Sequence, residues 1–242
     1  MTASLRRSLP VIASVSAAAL IIAMPNSANA QAQTAETPVA QPLRSSYQTW
    51  TSITASGPIF DKILFFMDVH GRFYDDFHPY QVLIRPAIGY KLPLGFSAFV
   101  GYAYTPSWND KREYAEEHRM WEQLSYEAPF KSIKLTARAR FEQRFRPESE
   151  TAHRLRTMVR ANIPLGLPIP LQTVVWDEAF FGLNQSVKWQ PEAFDQNRLF
   201  LGLGYVFNPH FRLDVGYLSH VIPRADAITL HHSLAINAAA TW

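Results

Sequence analysis

The chain has 242 residues and no cysteine, and 48% of its residues are hydrophobic, 13% aromatic and only 18% charged. Intrinsic disorder requires low hydrophobicity and high net charge, so this composition excludes it for most of the chain. The absence of cysteine excludes disulfides, thiolate metal sites and cysteine nucleophiles. After residue 30, no apolar run reaches the roughly 18 residues that a membrane-spanning helix needs.

Residues 1–30 have the three-part layout of a secretory signal peptide. Arg6 and Arg7 precede an apolar stretch from Leu9 to Met24, and the small residues that follow offer a cleavage site after Ala30. An N-terminal membrane anchor is the alternative, but the proline and small polar residues after the apolar stretch argue against it. We therefore predict export through the inner membrane.

The charge of the exported chain gives no indication of a nucleic-acid partner. Cleavage after Ala30 removes two arginines and no acids, so the formal net charge falls from +3 to +1. No clustered Lys/Arg tract with interleaved aromatics follows, and nucleic-acid binding is therefore not expected. Residues 31–45 are rich in Ala, Gln, Thr and Pro without periodicity, which predicts a flexible periplasmic leader.

From about residue 60 onward, polar and apolar residues alternate with a period of two. Around residue 140 the pattern is clear, because Arg138, Arg140 and Glu142 share one parity while Ala139 and Phe141 have the other. Successive strand side chains point to opposite faces, so one face is charged and the other is apolar. Strands are predicted at 46–56, 60–73, 80–92, 95–105, 113–128, 131–146, 152–164, 170–182, 194–207, 210–221 and 227–242.

Short and long connections alternate between these segments, which is typical of an outer-membrane barrel with tight periplasmic turns and longer outer loops. About 20 residues per strand and turn give about ten strands, and single-chain bacterial barrels have an even number. We therefore predict one all-β domain over residues 46–242, a transmembrane antiparallel up-and-down β-barrel of ten strands, with twelve as the second choice. The segment around Trp50 then becomes a short extra or lumenal piece.

A soluble sandwich or lipocalin-like barrel is the alternative architecture, because periodicity does not tell the inside from the outside. The predicted strands are longer than is usual in soluble proteins, and aromatic residues gather near their ends. The chain also ends on an aromatic residue, Trp242. These features favour the bacterial outer membrane, with membrane lipid and lipopolysaccharide as partners.

Short motifs follow one another in a fixed order along the chain. They are Trp50, Arg72, Ile84–Tyr90, Gly101–Tyr104, Glu117-x-Arg119-x-Trp121-x-Gln123, Arg138-x-Arg140-x-Glu142-x-Arg144, Arg154-x-Arg156, Glu178 with Phe180 and Phe181, and Arg198 before Gly202–Tyr205. Together they resemble an uncharacterised family of bacterial outer-membrane β-barrels, known only as a domain of unknown function, over about residues 46–242. The resemblance implies fold and location but no activity. Trp242 is similar to the terminal aromatic signal that such barrels present to the outer-membrane assembly machinery.

If the apolar faces meet lipid, the charged faces line the lumen. Arginine forms planar, bidentate pairs with carboxylates and stays charged at any relevant pH. Two interpretations remain open: a self-paired interior with a structural role, or a narrow, porin-like lumen whose surplus arginine admits small anions. No cofactor is implied. The predicted charge lattice consists of Arg72, Arg85, Glu117, Arg119, Arg138, Arg140, Glu142, Arg144, Arg154, Arg156, Arg160, Glu178, Arg198, Arg212 and Asp214.

A lipid-modifying hydrolase is the alternative function. His231 and Ser233 share one face of the last strand, Asp214 lies on the strand before it, and the His-x-Ser spacing is similar to that of lipid A deacylases. A serine nucleophile needs a base within hydrogen-bond reach and an acid that orients the base. These three residues are the catalytic candidates of this hypothesis, although no further motif of the deacylases is present.

Two loop features offer weaker hypotheses. His70 and His78 lie near Asp76 in sequence and suggest a surface metal site, but loop residues of these types are commonly solvated, and no metal is predicted. Trp108 and Trp189 fall in the predicted outer loops. They suggest either contacts with lipopolysaccharide or membership of an interfacial aromatic belt.

Overall fold

The computed structural model describes residues 42–184 and 190–242. In that part of the chain, eleven β-strands follow one another and close into one barrel in which each strand pairs with its sequence neighbours. The predicted signal peptide and the leader up to residue 41 lie outside the described residues. The strands are β1 (Leu43–Phe60), β2 (Ile63–Tyr74), β3 (Pro79–Lys91), β4 (Phe96–Trp108), β5 (Tyr114–Phe130), β6 (Ile133–Phe145), β7 (Ala152–Pro164), β8 (Leu171–Gly182), β9 (Ala193–Asn208), β10 (Phe211–Pro223) and β11 (Ile228–Thr241).

The strand count corrects the prediction of ten strands, with twelve as the second choice. The segment around Trp50 is not an extra piece but the 18-residue strand β1, and it includes residues 43–45 of the predicted leader. Strand β1 pairs antiparallel with β2 and parallel with β11, from Leu43 opposite Ile228 to Ser56 opposite Thr241. When strand directions alternate, an odd number leaves the first and last strands parallel. The even-number rule therefore misled the prediction.

The two ends of the barrel differ in their connections. Residues 61–62, 92–95, 131–132, 165–170 and 209–210 join strands at one end, which we call the turn rim. The connections at the other end, which we call the loop rim, are longer for the most part. They join β2 to β3, β4 to β5, β6 to β7, β8 to β9 and β10 to β11. Strand β1 starts at the loop rim and β11 ends at the turn rim, so the described chain enters and leaves the barrel at opposite ends.

One turn at the turn rim depends on glycine. Gly95 is the last residue of the short 3₁₀ turn Pro93–Gly95 and has a φ of +83°, in the left-handed region that glycine tolerates best. A Cβ at this position would overlap the carbonyl oxygen of Glu127 on β5. The turn between β3 and β4 therefore requires glycine for both its backbone conformation and its close packing.

The barrel buries charged side chains and exposes apolar ones. Arg140 is fully buried and Glu142 is 1% exposed, whereas the apolar Ile53, Val159 and Leu201 are more than half exposed. Buried apolar side chains form two small clusters, one around Trp50 and Phe200 and one around Trp121. The remaining interior is largely polar. This inverted polarity follows directly from the alternation, since inward positions of each strand carry the polar residues.

Aromatic side chains surround the outer face near both rims. At the turn rim, the rings of Phe96 and Tyr126 lie 4.7 Å apart, and the rings of Phe207 and Phe211 lie 5.2 Å apart. Toward the loop rim, the outer face carries aromatic–histidine contacts, such as the hydrogen bond of 2.6 Å between the Tyr217 hydroxyl and Nδ1 of His232. Between the two sets of rings the outer face is mainly aliphatic. In the described residues no helix is long and apolar enough to cross a membrane.

Candidate functional site: the charged lumen

Every residue of the predicted charge lattice is buried or half-buried on the inward face of its strand. The centre of the lattice is formed by Glu142 on β6 and Glu178 on β8. Glu142 accepts hydrogen bonds from Arg154 at 2.5 Å and from Arg156 at 2.6 Å. Arg156 also donates to Glu178 at 2.8 Å, and Arg138 donates to the same carboxylate at 2.5 Å. Arg156 thus joins two buried carboxylates into one network.

A second group of ion pairs lies nearer the loop rim. The carboxylate of Glu117 on β5 accepts hydrogen bonds from Arg119 at 2.5 Å, from Arg144 at 2.8 and 2.9 Å, and from Arg146 at 2.6 Å. Three guanidinium groups therefore share one carboxylate. The sharing is possible because the cross-strand register places Arg119 directly opposite Arg144.

Smaller groups lie elsewhere in the lumen. Nearer the turn rim, Asp214 on β10 contacts Arg160 at 2.6 Å and Arg212 at 3.1 Å. Asp68 on β2 forms a bidentate pair with Arg85 on the neighbouring strand β3. In each group the strand register brings the charges together across neighbouring strands or across the barrel.

Asp195 is a lattice residue that the sequence analysis missed. It is 3% exposed, and it lies 3.1 Å from Arg224 and 3.8 Å from Arg154. A β-bulge between β8 and β9 places both Asp195 and Gln196 on the buried side, which breaks the alternation. Asp195 is a single acid in a partly apolar segment, and nothing in that sequence indicated the bulge.

Within residues 42–184 and 190–242, three lumenal arginines have no close carboxylate partner. Arg140 donates to Gln123 at 2.5 and 2.8 Å, and its guanidinium carbon lies 4.2 Å from the centre of the Trp121 ring. Arg72 donates to Gln81, and Arg198 donates to a glutamine and comes no closer than 3.9 Å to Glu178. Neutral partners and aromatic faces leave the positive charge of these groups unbalanced.

A cavity of about 470 Å³ occupies the lumen. Eleven arginines and Lys134 line it, against four carboxylates, so its wall carries a large excess of positive charge. The arginines come mainly from β5 to β7, whereas β1 and β11 contribute small side chains such as Ser52, Ser56, Ala235 and Ala239. The cavity is therefore the space that small residues leave opposite the arginine-rich wall.

The structure does not assemble the predicted catalytic residues into a triad. Ser233 is 1% exposed, and its hydroxyl has no hydrogen-bond partner in the described residues. Nδ1 of His231 is hydrogen-bonded to Ser46 at 2.6 Å and to the amide nitrogen of Gln48 at 3.0 Å. Asp214 pairs with two arginines near the other rim. Sequence reasoning missed the contact between Ser46 and His231 because it depends on the parallel pairing of β1 with β11.

This arrangement predicts that Ser233 has no role in lipid hydrolysis. We expect cells that carry Ser233→Ala to keep unaltered lipid A and phospholipid profiles, and Ser46→Ala to behave in the same way, since neither serine has both a base and an orienting acid. Mass spectrometry of extracted lipids measures this outcome. A lost deacylated species in the Ser233→Ala strain would restore the hydrolase hypothesis.

The structure separates the two histidines of the suggested metal site. Nδ1 of His78 is 2.6 Å from Asp76, and this hydrogen bond lowers the pKa of the exposed Asp76 carboxyl. His70 instead points into the lumen, where it lies 3.1 Å from Asp68. No group of three or more candidate ligands comes together in the described part of the chain. Trp108 ends β4 with its ring 6.0 Å from that of Tyr114, and Trp189 lies outside the described residues.

The described residues thus form a closed, eleven-stranded β-barrel with a buried arginine–carboxylate network. The family model described as a protein of unknown function, DUF2490, matches residues 47–231, and the chain belongs to this family. It is also similar to an uncharacterised protein of Methylorubrum extorquens, with 28% identity over 199 residues that cover 78% of this chain and 85% of the relative. The resemblance to an uncharacterised barrel family is confirmed.

Proposed function

We propose that this chain is an integral outer-membrane β-barrel with a narrow, anion-preferring lumen. The observation that carries the proposal is the inverted polarity of the barrel. Soluble monomers rarely expose apolar patches larger than a few hundred Å². Here Val100, Leu201, Leu203 and Leu234 are about half exposed at mid-strand positions, while the arginines are enclosed. A hydrocarbon environment removes the cost of that apolar outer surface.

The dimensions of the strands support the same environment. The shortest strands, β2 and β8, have 12 residues. At a rise of about 3.3 Å per residue and a tilt of about 45°, such a strand spans about 28 Å, close to the roughly 25 Å apolar band of outer-membrane barrels. The aromatic rings near both rims fit the two membrane interfaces.

The orientation follows from the connections. Short turns of outer-membrane barrels face the periplasm, so we place the turn rim there and the loop rim at the lipopolysaccharide surface. Trp242 then lies on the periplasmic side, where its ring is 6.0 Å from that of Phe65 and its indole nitrogen donates to the Pro58 carbonyl at 3.1 Å. In this proposal, the signal peptide is cleaved after Ala30 and the outer-membrane assembly machinery recognises Trp242.

The lining of the lumen supports a preference for anions. Rings of arginine in a pore attract anions and repel cations. Each central carboxylate is shared by two or three guanidinium groups, so the ion pairs leave net positive charge along the cavity. The same side chains fill most of the interior, which favours small solutes over large ones.

Planar-bilayer recordings test the transport part of the proposal. With a salt gradient across the bilayer, we expect small single-barrel currents and a reversal potential on the anion-selective side. Arg138→Gln removes a half-buried charge from the cavity wall and is expected to reduce the selectivity, whereas Arg112→Gln changes an exposed loop residue and is expected to leave it unchanged. Cation selectivity, or the absence of conductance, would contradict an anion-conducting lumen and leave a structural role.

A further inference from the structure

Two lumenal arginines share one aromatic ring. The guanidinium carbon of Arg72 lies 4.0 Å from the centre of the Trp50 ring, and that of Arg198 lies 4.9 Å from it. Strands β1, β2 and β9 supply these residues, and all three side chains line the lumenal cavity. Two like charges are thus held around one indole, although mutual repulsion opposes this arrangement.

The charge of this pair has little opposition from acids. In the described residues Arg72 has no ion pair, and its hydrogen bond to Gln81 is with a neutral amide. Arg198 is 8% exposed, donates to Gln196 at 3.3 Å, and is 3.9 Å from Glu178, which already binds two other arginines more closely. The protein therefore offsets only part of the repulsion between the two guanidinium groups, through the Trp50 and Phe180 rings and the distant Glu178.

Each of the two arginines also has an unused donor. The Nε atoms of Arg72 and Arg198 are buried and have no hydrogen-bond partner in the described part of the chain. A buried donor without a partner is unfavourable, and more so when the group is charged. The buried Nε atoms do not face the cavity, but an anionic acceptor in the cavity would offset the charge repulsion between the two guanidinium groups.

The other polar neighbours of Trp50 in the described residues are an amide, a phenol and an imidazole. The indole nitrogen of Trp50 donates to Gln48 at 2.9 Å, and the Tyr80 hydroxyl donates to the same amide oxygen at 2.8 Å. His220 contacts the Trp50 ring edge-on at 5.3 Å, and its Nε2 donates to Gln196. The surroundings hold Trp50 in place and add no negative charge that would compete with a ligand.

We infer that Arg72 and Arg198 form a binding site for a small oxyanion of the phosphate class beside Trp50. Guanidinium groups bind the oxygen atoms of phosphate through paired, charge-assisted hydrogen bonds. The cavity of about 470 Å³ that the site lines gives the anion room. This inference rests on the proposed anion-accepting lumen, but it does not require conduction through the barrel.

Calorimetric titration of the folded barrel in detergent micelles with inorganic phosphate tests the site. We expect one phosphate per barrel, and we expect Arg72→Gln and Arg198→Gln each to weaken the affinity by about tenfold or more, since each removes a charged donor. Arg212→Gln is the matched control. Arg212 lines the same cavity but is paired with Asp214, so its loss is expected to change the affinity by no more than roughly twofold.

The outcomes separate this site from the transport proposal. An absence of heat with millimolar phosphate, or equal losses in all three variants, would overturn the site whatever the bilayer recordings show. Binding without conductance would support the site and contradict transport. A folded barrel migrates differently on a gel before and after boiling, and this heat-modifiable band identifies the folded form. If a variant does not reach that form, ³¹P spectra of the unmodified barrel test the site instead. Saturable broadening of the phosphate resonance at one equivalent supports the site, and an unchanged resonance overturns it.

Discussion

Glu142→Gln is expected to lower the free energy of unfolding of the barrel by about 3–5 kcal/mol, because it removes one partner of a buried ion-pair network. Glu142 is 1% exposed and receives hydrogen bonds from Arg154 and Arg156, which are themselves 4% and 6% exposed. Glutamine keeps the shape of the side chain but not its charge. Two guanidinium groups that are almost fully buried would then lose their shared counter-charge.

Urea unfolding in detergent, followed by the loss of the heat-modifiable band, measures this effect. The control is Glu127→Gln, which makes the same chemical change in an ion pair with Lys134 at 2.8 Å whose side chains are more than half exposed. Exposed pairs contribute at most about 1 kcal/mol, so the control is expected to unfold almost as the unmodified protein does. Similar losses in both variants would show that the lumenal lattice has no special role in stability.

Leu201→Arg is expected to destabilise the barrel in lipid by about 2–4 kcal/mol, the cost of an arginine on the lipid face at the bilayer midplane. Leu201 is 56% exposed and lies near the middle of β9 on its outward face. In an aqueous environment the same substitution at an exposed site would change stability by less than about 0.5 kcal/mol. The size of the loss therefore reports what surrounds this face.

The control for this substitution is Leu167→Arg. Leu167 is 51% exposed, almost as much as Leu201, but it lies in the connection between β7 and β8 at the turn rim. We expect its replacement to be nearly neutral in reversible folding into phosphatidylcholine vesicles. Equal, small effects at both positions would contradict a lipid-facing outer surface.

The alternation of side chains made most of the barrel predictable. It placed eleven segments close to the eleven strands of the structure, and it predicted which parity carries the charges. The predicted number of strands was wrong because β1 was not counted as a barrel strand. Its partner β11 is far away in sequence, and no local pattern distinguishes a parallel from an antiparallel neighbour. Discarding the Trp50 segment to reach an even number removed the strand that closes the barrel.

Most members of the charged lumen were predictable, with Asp195 at the β-bulge as an exception, but their pairing was not. Arg138 meets Glu178 and Arg160 meets Asp214 across 40 and 54 residues of sequence, so these contacts depend on register and on the curvature of the closed sheet. Composition showed a surplus of arginine. It did not show that this surplus gathers at Trp50, where Arg72 and Arg198 meet on one ring.

In the proposed membrane barrel, the apolar face of each strand meets lipid and the arginines are enclosed. Because the chain has no cysteine, single cysteines at positions 51 to 55 of β1 can carry a nitroxide label, with Ile53 on the outward face and Ser52 and Thr54 on the inward face. In vesicles, we predict that accessibility to oxygen, which concentrates in the bilayer, alternates with maxima at positions 51, 53 and 55. Maxima of accessibility to a water-soluble nickel chelate at those same positions would instead show that the apolar face meets water, and the membrane barrel would be wrong.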